Sequence, residues 1–142
     1  VMAGGAFPHR LGLSETVLVF EHHLTFFGGF ERFVDELPAI KAKSIEKKLF
    51  VEADAERAIT LARVSANSIG VDGIQLDKVP VAELQELVSR LRAIDPRLAL
   101  IAAGGINPQN AGAYAACGVD GLATTAPFTA MPIDMSVRMR RA

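Results

Sequence analysis

An apolar run at residues 98–102 stops at the pair Gly104-Gly105, and the dipeptide Asn107-Pro108 follows closely. This order predicts a buried parallel strand, a glycine loop and then a helix, with Asn107 as N-cap and Pro108 at the first helical position. Paired glycines let a ligand approach the backbone, because no Cβ stands in the way. The free N–H groups at a helix N-terminus attract anions, above all phosphate. We therefore expect a phosphate site where this strand ends.

Apolar, often β-branched runs alternate with helical patterns along most of the chain. The predicted strands lie at 16–20, 49–51, 73–76, 98–102 and 121–125. The predicted helices lie at 31–43, 54–65, 81–94 and 107–115. The strand runs do not alternate polar with apolar residues, which is typical of strands covered on both faces. The pattern predicts an α/β fold of repeated parallel strand-helix units.

The tetrapeptide Gly-Val-Asp-Gly occurs twice, at 70–73 and at 118–121, each time between a predicted helix and a predicted strand. In both places a glycine ends the helix and the next strand begins, so the two joints indicate an internal repeat. Five parallel strands cannot close an eight-stranded barrel and would leave unpaired edges. We therefore predict that residues 1–142 form a single domain, the C-terminal part of a TIM-like (β/α) barrel.

The chain has 142 residues, of which 50% are hydrophobic and 22% are charged, as in a globular domain with one core. Its net charge of −1 and isoelectric point near 6.3 argue against a nucleic-acid partner, because such proteins carry a basic surface. No apolar run approaches the roughly 18 residues of a membrane span. We therefore expect no nucleic-acid partner and no membrane association.

The single cysteine, Cys117, allows no internal disulfide, which predicts a reducing, cytoplasmic location. Its neighbours in sequence are small, so a packing role is favoured over a reactive thiol. The chain begins with Val1 rather than with Met. This first residue predicts that the numbering starts inside a longer protein.

Acidic residues follow two of the predicted strands, Glu52 after the second and Asp77 after the third. Parallel strands deliver their last residues to one edge of a sheet, so both should share a site with the glycine loop and with Thr124 and Thr125. The alternative role is capping of the next helix, and we favour function for both. Two carboxylates together with substrate oxygens suit a hard cation such as Mg²⁺.

Histidines and an arginine lie near the first predicted strand. His9 and Arg10 offer donors for a carboxylate or phosphate, with a surface salt bridge as the alternative for Arg10. His22 and His23 are adjacent, and in strand geometry they point to opposite faces, so at most one faces the site. A zinc site would need more ligands of this kind, so a transition metal is disfavoured. For Glu21, which precedes these histidines, helix capping is favoured over function.

Six motifs occur in the order and spacing of one enzyme family. They are His9-Arg10-Leu11-Gly12-Leu13-Ser14, Val17-Leu18-Val19-Phe20-Glu21-His22-His23-Leu24, Phe50-Val51-Glu52, Gln75-Leu76-Asp77-Lys78, Ala102-Ala103-Gly104-Gly105-Ile106 and Gly118-Val119-Asp120. Through them the chain resembles the C-terminal half of quinolinate phosphoribosyltransferase, also called nicotinate-nucleotide pyrophosphorylase. It is similar in particular to the ModD-like branch associated with molybdenum-transport operons.

The resemblance implies more than this chain contains. It implies a preceding α/β domain, further barrel strands, and a homodimer or higher homo-oligomer whose active site borrows residues from the partner. It also implies Mg²⁺-dependent use of phosphoribosyl pyrophosphate. The expected function is that of a pentosyltransferase, which moves the phosphoribosyl group to a small aromatic carboxylic acid and releases pyrophosphate.

The resemblance also assigns expected roles to residues. Glu52 and Asp77 match acids near the ribose hydroxyls and the metal, so they are the expected catalytic and metal-binding residues. The pair of His9 and Arg10 matches the family's contact to the substrate carboxylates. The expected substrate-binding residues are His9, Arg10, Phe20 and His23. The expected phosphate-binding residues are Ala103, Gly104, Gly105, Thr124, Thr125 and Ala126.

Five positions depart from the family pattern. Phe20 replaces a substrate-binding Lys, Phe50 an acid, Lys78 an Asn, Ile101 a Glu and Ala103 a Ser. Without the Lys, one carboxylate of a dicarboxylate is left unpaired, and burying it costs several kcal/mol. Phe20 is therefore expected to exclude quinolinate, while the phosphate and ribose end of the site persists.

Two other functions stay open from the sequence. One is a different phosphate-binding barrel enzyme, an isomerase or synthase with Glu21 or Glu52 as general base. The other is a non-catalytic or regulatory phosphate-binding protein of molybdenum transport. The change from Lys to Phe at position 20 favours the regulator, and the intact Glu52 and Asp77 favour the enzyme.

Overall fold

The computed structural model describes residues 1–12 and 14–141, so Leu13 of the first motif and Ala142 of the predicted domain lie outside the described residues. Five strands form one parallel sheet in the order β1-β2-β3-β4-β5. They are β1 (Val17–Val19), β2 (Leu49–Ala53), β3 (Gly73–Asp77), β4 (Ala99–Ala103) and β5 (Gly121–Leu122). Each strand pairs with the next one in sequence. The α/β fold of parallel units is confirmed.

Helices join these strands. They are α1 (Glu21–Phe27), α2 (Phe30–Lys43), α3 (Ala55–Asn67), α4 (Val81–Ile94), α5 (Ala111–Ala116) and α6 (Ala126–Thr129). The prediction of α4 is confirmed at both ends, and those of α2 and α3 are within two residues of the observed bounds. The short helices α1 and α6 are absent from the sequence-based prediction, because seven and four residues are too few to show a helical period.

The core lies on one face of the sheet. Along β2 the exposure alternates, and Leu49, Val51 and Ala53 are buried while the residues between them are half-buried. The same face continues through fully buried Ile74 and Leu76. The helix residues that pack in this cluster include Phe33, Leu37, Leu61, Leu84 and Leu91. The other face of the sheet is therefore free to build a site.

The two Gly-Val-Asp-Gly joints have matching structures. The Asp72 carboxylate accepts the backbone N–H of Leu49 at 2.6 Å and the Lys41 ammonium at 2.5 Å. In the second joint Asp120 accepts the N–H of Leu100 at 2.7 Å and the Arg92 guanidinium at 2.5 Å. Each aspartate thus ties the start of the neighbouring strand to a helix. The aspartates therefore have the same role in the fold at both joints. The glycines differ: Gly118 has the φ of 84° typical of a glycine that ends a helix, whereas α3 ends at Asn67, so the expectation that Gly70 ends it is wrong.

The sheet is open. Within the described residues β1 and β5 each pair with one other strand, so a closed barrel is not present. Residues 130–141 form no regular element and are exposed. No helix in the described ranges is both long enough and apolar enough to cross a membrane.

Candidate functional site

The open face of the sheet carries a cleft of about 430 Å³ at the carboxyl ends of the strands. The strand register sets Glu52 beside Gln75, and Asp77 beside Ala103. Loops after β4 and β5 close one side of the cleft. Its lining residues are His9, Arg10, Leu18, Phe20, Glu52, Gln75, Asp77, Ala103, Gly104, Gly105, Ile106, Ala123, Thr124, Thr125 and Phe128. Parallel strands thus bring charges that are distant in sequence to one place.

Glu52 is held by a neighbouring side chain on the sheet. The amide Nε2 of Gln75 donates to Glu52 Oε2 at 2.7 Å, and Gln75 itself is only 6% exposed. Glu52 does not cap the following helix, because Asp54 accepts the first-turn N–H of Arg57 at 2.9 Å. The capping alternative for Glu52 is therefore wrong.

Asp77 ends β3, and its capping alternative is also wrong, because Pro80 occupies the N-cap position of α4. Its side chain is 30% exposed, and Oδ2 lies 3.3 Å from the Lys78 ammonium. Lys78 has a φ of 54°, in the left-handed region, and its N–H donates to Ala103 O at 2.9 Å. This backbone turn is uncommon for a residue with a side chain. It turns the chain from β3 toward α4 beside the glycine loop.

Gly104 fits this turn for two physical reasons. Its φ is 84°, which glycine adopts without the cost that other residues incur. A Cβ at this position would lie 2.5 Å from Lys78 Cγ and 2.7 Å from Asp77 Oδ1. The next glycine, Gly105, has a φ of 74°, but a Cβ there would meet nothing within 4 Å. The loop thus packs against Asp77 on one side and stays open on the other.

The glycine loop presents unused backbone donors. Among the described residues, the N–H groups of Gly104, Gly105 and Thr125 donate to no protein acceptor. Thr124 Oγ1 donates to Ile106 O at 2.6 Å and accepts the N–H of Ala126 at 3.0 Å. Thr124 therefore joins the two loops, and the free N–H groups form a potential anion site.

The predicted helix start at Asn107 needs correction. Asn107 Oδ1 accepts the N–H groups of Gln109 at 2.9 Å and Asn110 at 3.2 Å, so these donors are satisfied within the turn. The helix α5 begins later, at Ala111. The α-helical bonding therefore starts beyond the Pro108 turn, and the N–H groups of Gln109 and Asn110 are not free for an anion.

His9 and Arg10 border the cleft from the segment that precedes β1. Arg10 has a φ of 58°, so the two left-handed residues other than glycine among those described are Arg10 and Lys78. Such strained backbone collects at functional sites. A second cleft of about 180 Å³ adjoins the first and shares His9, Arg10, Leu18 and Gln75 with it. The cationic and apolar parts of the site therefore meet beside Gln75.

Phe20 lines the cleft and is fixed from behind by two histidines. Its N–H donates to His23 Nδ1 at 2.9 Å, and its ring stacks on the His22 ring with centroids 5.5 Å apart. Both histidines belong to α1, so the assumption of strand geometry for them is wrong. His23 acts as a helix cap outside the cleft lining. Glu21 pairs with Arg57, away from the cleft.

The structure brings ten of the predicted site residues together. They are His9, Arg10, Phe20, Glu52, Asp77, Ala103, Gly104, Gly105, Thr124 and Thr125. His23 and Ala126 lie outside the lining, and their binding roles stay predictions. The lining residues that were not predicted as site residues are Leu18, Gln75, Ile106, Ala123 and Phe128. Counting alternate residues back from Phe20 and Asp77 would have found the first two.

Other depressions on the surface are less suited to a ligand. One of about 340 Å³ lies at the amino ends of the strands, where Lys41 is paired with Asp72 and Arg97 with Asp95. One of about 510 Å³ lies between α2 and α3 and is lined by acidic residues and Arg57. Neither depression includes the glycine loop at Gly104 and Gly105, whose free backbone donors line the strand-end cleft.

Within the described residues, no three His, Cys, Asp or Glu side chains are grouped so that they could hold a metal ion by themselves. Mg²⁺, however, is commonly bound by one or two carboxylates, with substrate phosphates and water completing its shell. Glu52 and Asp77 both line the cleft and are the carboxylates that fit this requirement.

Comparison with known proteins defines the family. The model described as quinolinate phosphoribosyl transferase, C-terminal domain, matches residues 1–138. The chain therefore belongs to the quinolinate phosphoribosyltransferase family. Within it, a protein named pyrophosphorylase ModD from Escherichia coli is 32% identical over 143 residues, which cover 100% of this chain and 49% of that protein.

Two further relatives carry the other name of the family. Nicotinate-nucleotide pyrophosphorylase (carboxylating) of Mycobacterium leprae is 34% identical over 126 residues, covering 89% of this chain and 42% of that protein. The solved nicotinate-nucleotide pyrophosphorylase of Francisella tularensis superposes with a TM-score of 0.68 at 26% identity, covering 85% of this chain and 40% of that one. The chain thus spans about half the length of the curated relatives it matches.

Proposed function

We propose that this protein takes part in phosphoribosyl transfer from phosphoribosyl pyrophosphate to a small aromatic carboxylic acid, with release of pyrophosphate. The observation that carries the proposal is the strand-end cleft. Its lining combines two carboxylates, Glu52 and Asp77, with a glycine loop that has free N–H groups and with the hydrogen-bond donors of His9 and Arg10. Family membership supports the same reaction class.

The phosphate end of the donor would bind at the loops after β4 and β5. The N–H groups of Gly104, Gly105 and Thr125 are the available donors there, and the loop is open at Gly105, where a Cβ would meet nothing within 4 Å. Ala103 ends β4 under this loop and is buried, so it shapes the site through its backbone. This arrangement provides hydrogen bonds to an anion without a large positive field.

The acceptor would bind at the other end of the cleft. Arg10 and His9 supply donors for one carboxylate, and Phe20 and Leu18 supply an apolar wall. An aromatic monocarboxylate matches one cationic end and one apolar face. A dicarboxylate such as quinolinate would leave its second carboxylate against Phe20, at a cost of several kcal/mol.

In the reaction, the bond from C1 of the sugar to the pyrophosphate oxygen breaks, and its electron pair leaves with pyrophosphate. The acceptor bonds to C1, where positive charge develops in the transition state. Glu52 and Asp77 bear negative charge beside the sugar site and stabilise that charge, while the loops hold the phosphate in place. Catalysis by this route needs placement and electrostatics, and no covalent intermediate on the protein.

Mg²⁺ is the proposed cofactor. Glu52 and Asp77 would hold it together with phosphate oxygens of the donor, and it would neutralise charge on the pyrophosphate. Lys78 already contacts Asp77 at 3.3 Å and would have to move aside. Its ammonium is 79% exposed, so this movement is inexpensive.

We propose that the open sheet is the C-terminal part of a (β/α) barrel. Its consecutive parallel order and unpaired edges support this. The relatives are about twice as long as this chain, so the remaining strands and the preceding α/β domain have room there. The proposal includes assembly into a homodimer or higher homo-oligomer. It also includes a cytoplasmic location, which the buried, unpaired Cys117 supports.

A second candidate function is a phosphate-binding regulator without turnover. The contact between Lys78 and Asp77 favours it, because this ammonium occupies the place where a metal would share the carboxylate. Replacing Lys78 by Asn separates the candidates. An enzyme should keep its Mg²⁺-dependent binding of phosphoribosyl pyrophosphate or gain a few-fold in it, whereas a regulator should bind the phosphates without Mg²⁺ and lose affinity.

Calorimetric titration with phosphoribosyl pyrophosphate tests the main proposal. We expect binding that strengthens with Mg²⁺ and that falls by more than about tenfold in Glu52→Gln, because hydrogen bonds to a charged group are then weakened. Glu46→Gln, on the exposed surface before β2, is the matched control. Binding that is indifferent to both Mg²⁺ and Glu52 would refute the transferase.

A further inference from the structure

Gln75 is a buried polar residue on the open face of the sheet. It lines both adjoining clefts and is 6% exposed. Phe50 and Ile101, which line the second cleft beside it, are apolar. An amide in such a place is unfavourable unless it is hydrogen-bonded. The buried amide therefore needs a hydrogen-bond partner, and this partner is Glu52.

The hydrogen bonds of Gln75 are only partly used. Nε2 donates to Glu52 Oε2 at 2.7 Å, and within residues 1–12 and 14–141 no donor reaches Gln75 Oε1. No fully buried side-chain oxygen in those ranges is left without a bond, so Oε1 is accessible from the cleft. The amide thus bonds Glu52 with one end and presents its carbonyl oxygen to a ligand.

The orientation of this amide follows from the charge of its partner. An ionised carboxylate can only accept hydrogen bonds, so the NH₂ group of Gln75 must face Glu52 and the oxygen must face the cleft. Gln75 Oε1 and the second oxygen of Glu52 are then two neighbouring acceptors. A ligand group at this point must carry hydrogen-bond donors of its own.

We propose that Gln75 is a positioning residue, which fixes the Glu52 carboxylate so that the two side chains together select a sugar phosphate by its adjacent hydroxyl groups. This inference rests on the proposed function, since it places the ribose between these acceptors and the phosphate loop. Gln75→Met should keep the shape of the side chain but lose the preference for a sugar phosphate that carries both hydroxyl groups. A sugar lacking one hydroxyl should then bind about as well as one that has it.

Three probes separate this inference from the proposed function: inorganic phosphate, ribose 5-phosphate and 2-deoxyribose 5-phosphate, each titrated into the protein. In the unmodified protein, ribose 5-phosphate should bind about tenfold more tightly than the deoxy sugar, as expected for one hydrogen bond to a charged acceptor. Gln75→Met should reduce this preference to about twofold or less. Its affinity for inorganic phosphate should not change.

Gln75→Glu provides a readout that a merely structural residue would not give. The substituted side chain has the size of the amide, but an ionised carboxylate at position 75 has no N–H to donate to Glu52 Oε2. The preference for ribose 5-phosphate over the deoxy sugar should therefore fall to about twofold or less, as in Gln75→Met. A residue that only fills space would leave this preference unchanged.

Gln85→Met on the exposed side of α4 is the control for the substitution itself, and thermal unfolding checks that each variant folds.

If phosphate binds and Gln75→Met keeps the tenfold preference, the inference fails while the proposed function stands. If neither phosphate nor ribose 5-phosphate binds the unmodified protein, both fail. A loss of nicotinate affinity with unchanged sugar preference would assign Gln75 to the acceptor and overturn the sugar assignment. Should Gln75→Met not fold, the sugar preference of Gln75→Glu decides.

Discussion

Carboxylates lie at both ends of the sheet, and they have opposite surroundings. At the amino ends of the strands, Asp72, Asp95 and Asp120 each accept a backbone N–H together with a Lys or Arg side chain. At the carboxyl ends, Glu52 and Asp77 face a cleft and accept no backbone N–H from residues 1–12 or 14–141. The first group stabilises the fold, and the second is available to a ligand.

The difference also shows how electrostatics separates the two groups. Burial alone raises the pKa of Asp120, but the Leu100 N–H and the Arg92 guanidinium outweigh it and leave the pKa lowered. The pKa of Asp95 is lowered by its hydrogen bonds to the Arg97 side chain, with the Arg97 N–H adding to the effect. Carboxylates that are ionised and satisfied in this way have little left to offer a ligand.

The largest expected effect on stability is at the carboxyl ends of the strands, where the backbone at Gly104 leaves no room for a side chain. Gly104→Ala introduces a left-handed alanine, which costs about 1–2 kcal/mol, and its Cβ would lie 2.8 Å from Lys78 N, an overlap that adds about 1–3 kcal/mol. Gly105→Ala is the control, because only the conformational cost applies there. Urea unfolding should show a larger loss of unfolding free energy in Gly104→Ala than in Gly105→Ala. Equal losses in both variants would show that the contact of the added Cβ with Lys78 has no measurable cost.

The next effect concerns the amino end. Asp72→Ala removes the acceptor of the Leu49 N–H and of the Lys41 ammonium, which should cost about 1.5–3 kcal/mol of unfolding free energy. Asp134→Ala, in the exposed C-terminal segment, should change stability by less than about 0.5 kcal/mol. An Asp72 variant as stable as the Asp134 variant would remove the structural role from the repeated joint.

Much of this comparison could be predicted from the sequence. The spacing of the apolar runs predicted the parallel order, and the repeated Gly-Val-Asp-Gly marked both joints. The pairing of Asp72 with Lys41 could not be predicted, because it depends on how α2 packs beside β2 and β3. The site at Glu52 and Asp77 followed from parallel topology alone.

The predictions that failed concern places where local side-chain hydrogen bonds decide the backbone conformation. Asn107 was expected to start a helix with free donors, but its own side chain satisfies the N–H groups of Gln109 and Asn110. His22 and His23 were expected in strand geometry, but both lie in α1, where His23 Nδ1 accepts the N–H of Phe20. In both cases a short polar contact decides the geometry, and residue patterns do not encode which donor it takes.

A pH experiment sharpens the contrast between the two ends. The pKa of Asp95 in the folded protein lies below its ordinary value, so its pairing contributes stability above the ordinary aspartate pKa, and this contribution is lost as pH falls through the folded pKa. Asp95→Asn should therefore be less stable than the unmodified protein at pH 7, and the gap should narrow in acid. Thermal unfolding at a series of pH values measures it, and a gap independent of pH would contradict the assignment.

The smallest effect on stability should come from Asp77→Asn. Its ionic partner among the described residues is Lys78, whose side chain is 79% exposed, and exposed pairs contribute between about 0 and 1 kcal/mol. The same substitution should weaken Mg²⁺-dependent binding of phosphoribosyl pyrophosphate by more than about tenfold, because it removes a charge from the cleft. Unfolding in urea and calorimetric titration at matched Mg²⁺ give the two numbers. A variant that loses stability as Asp72→Ala does, yet binds normally, would place Asp77 with the structural carboxylates and leave Glu52 alone at the ligand end.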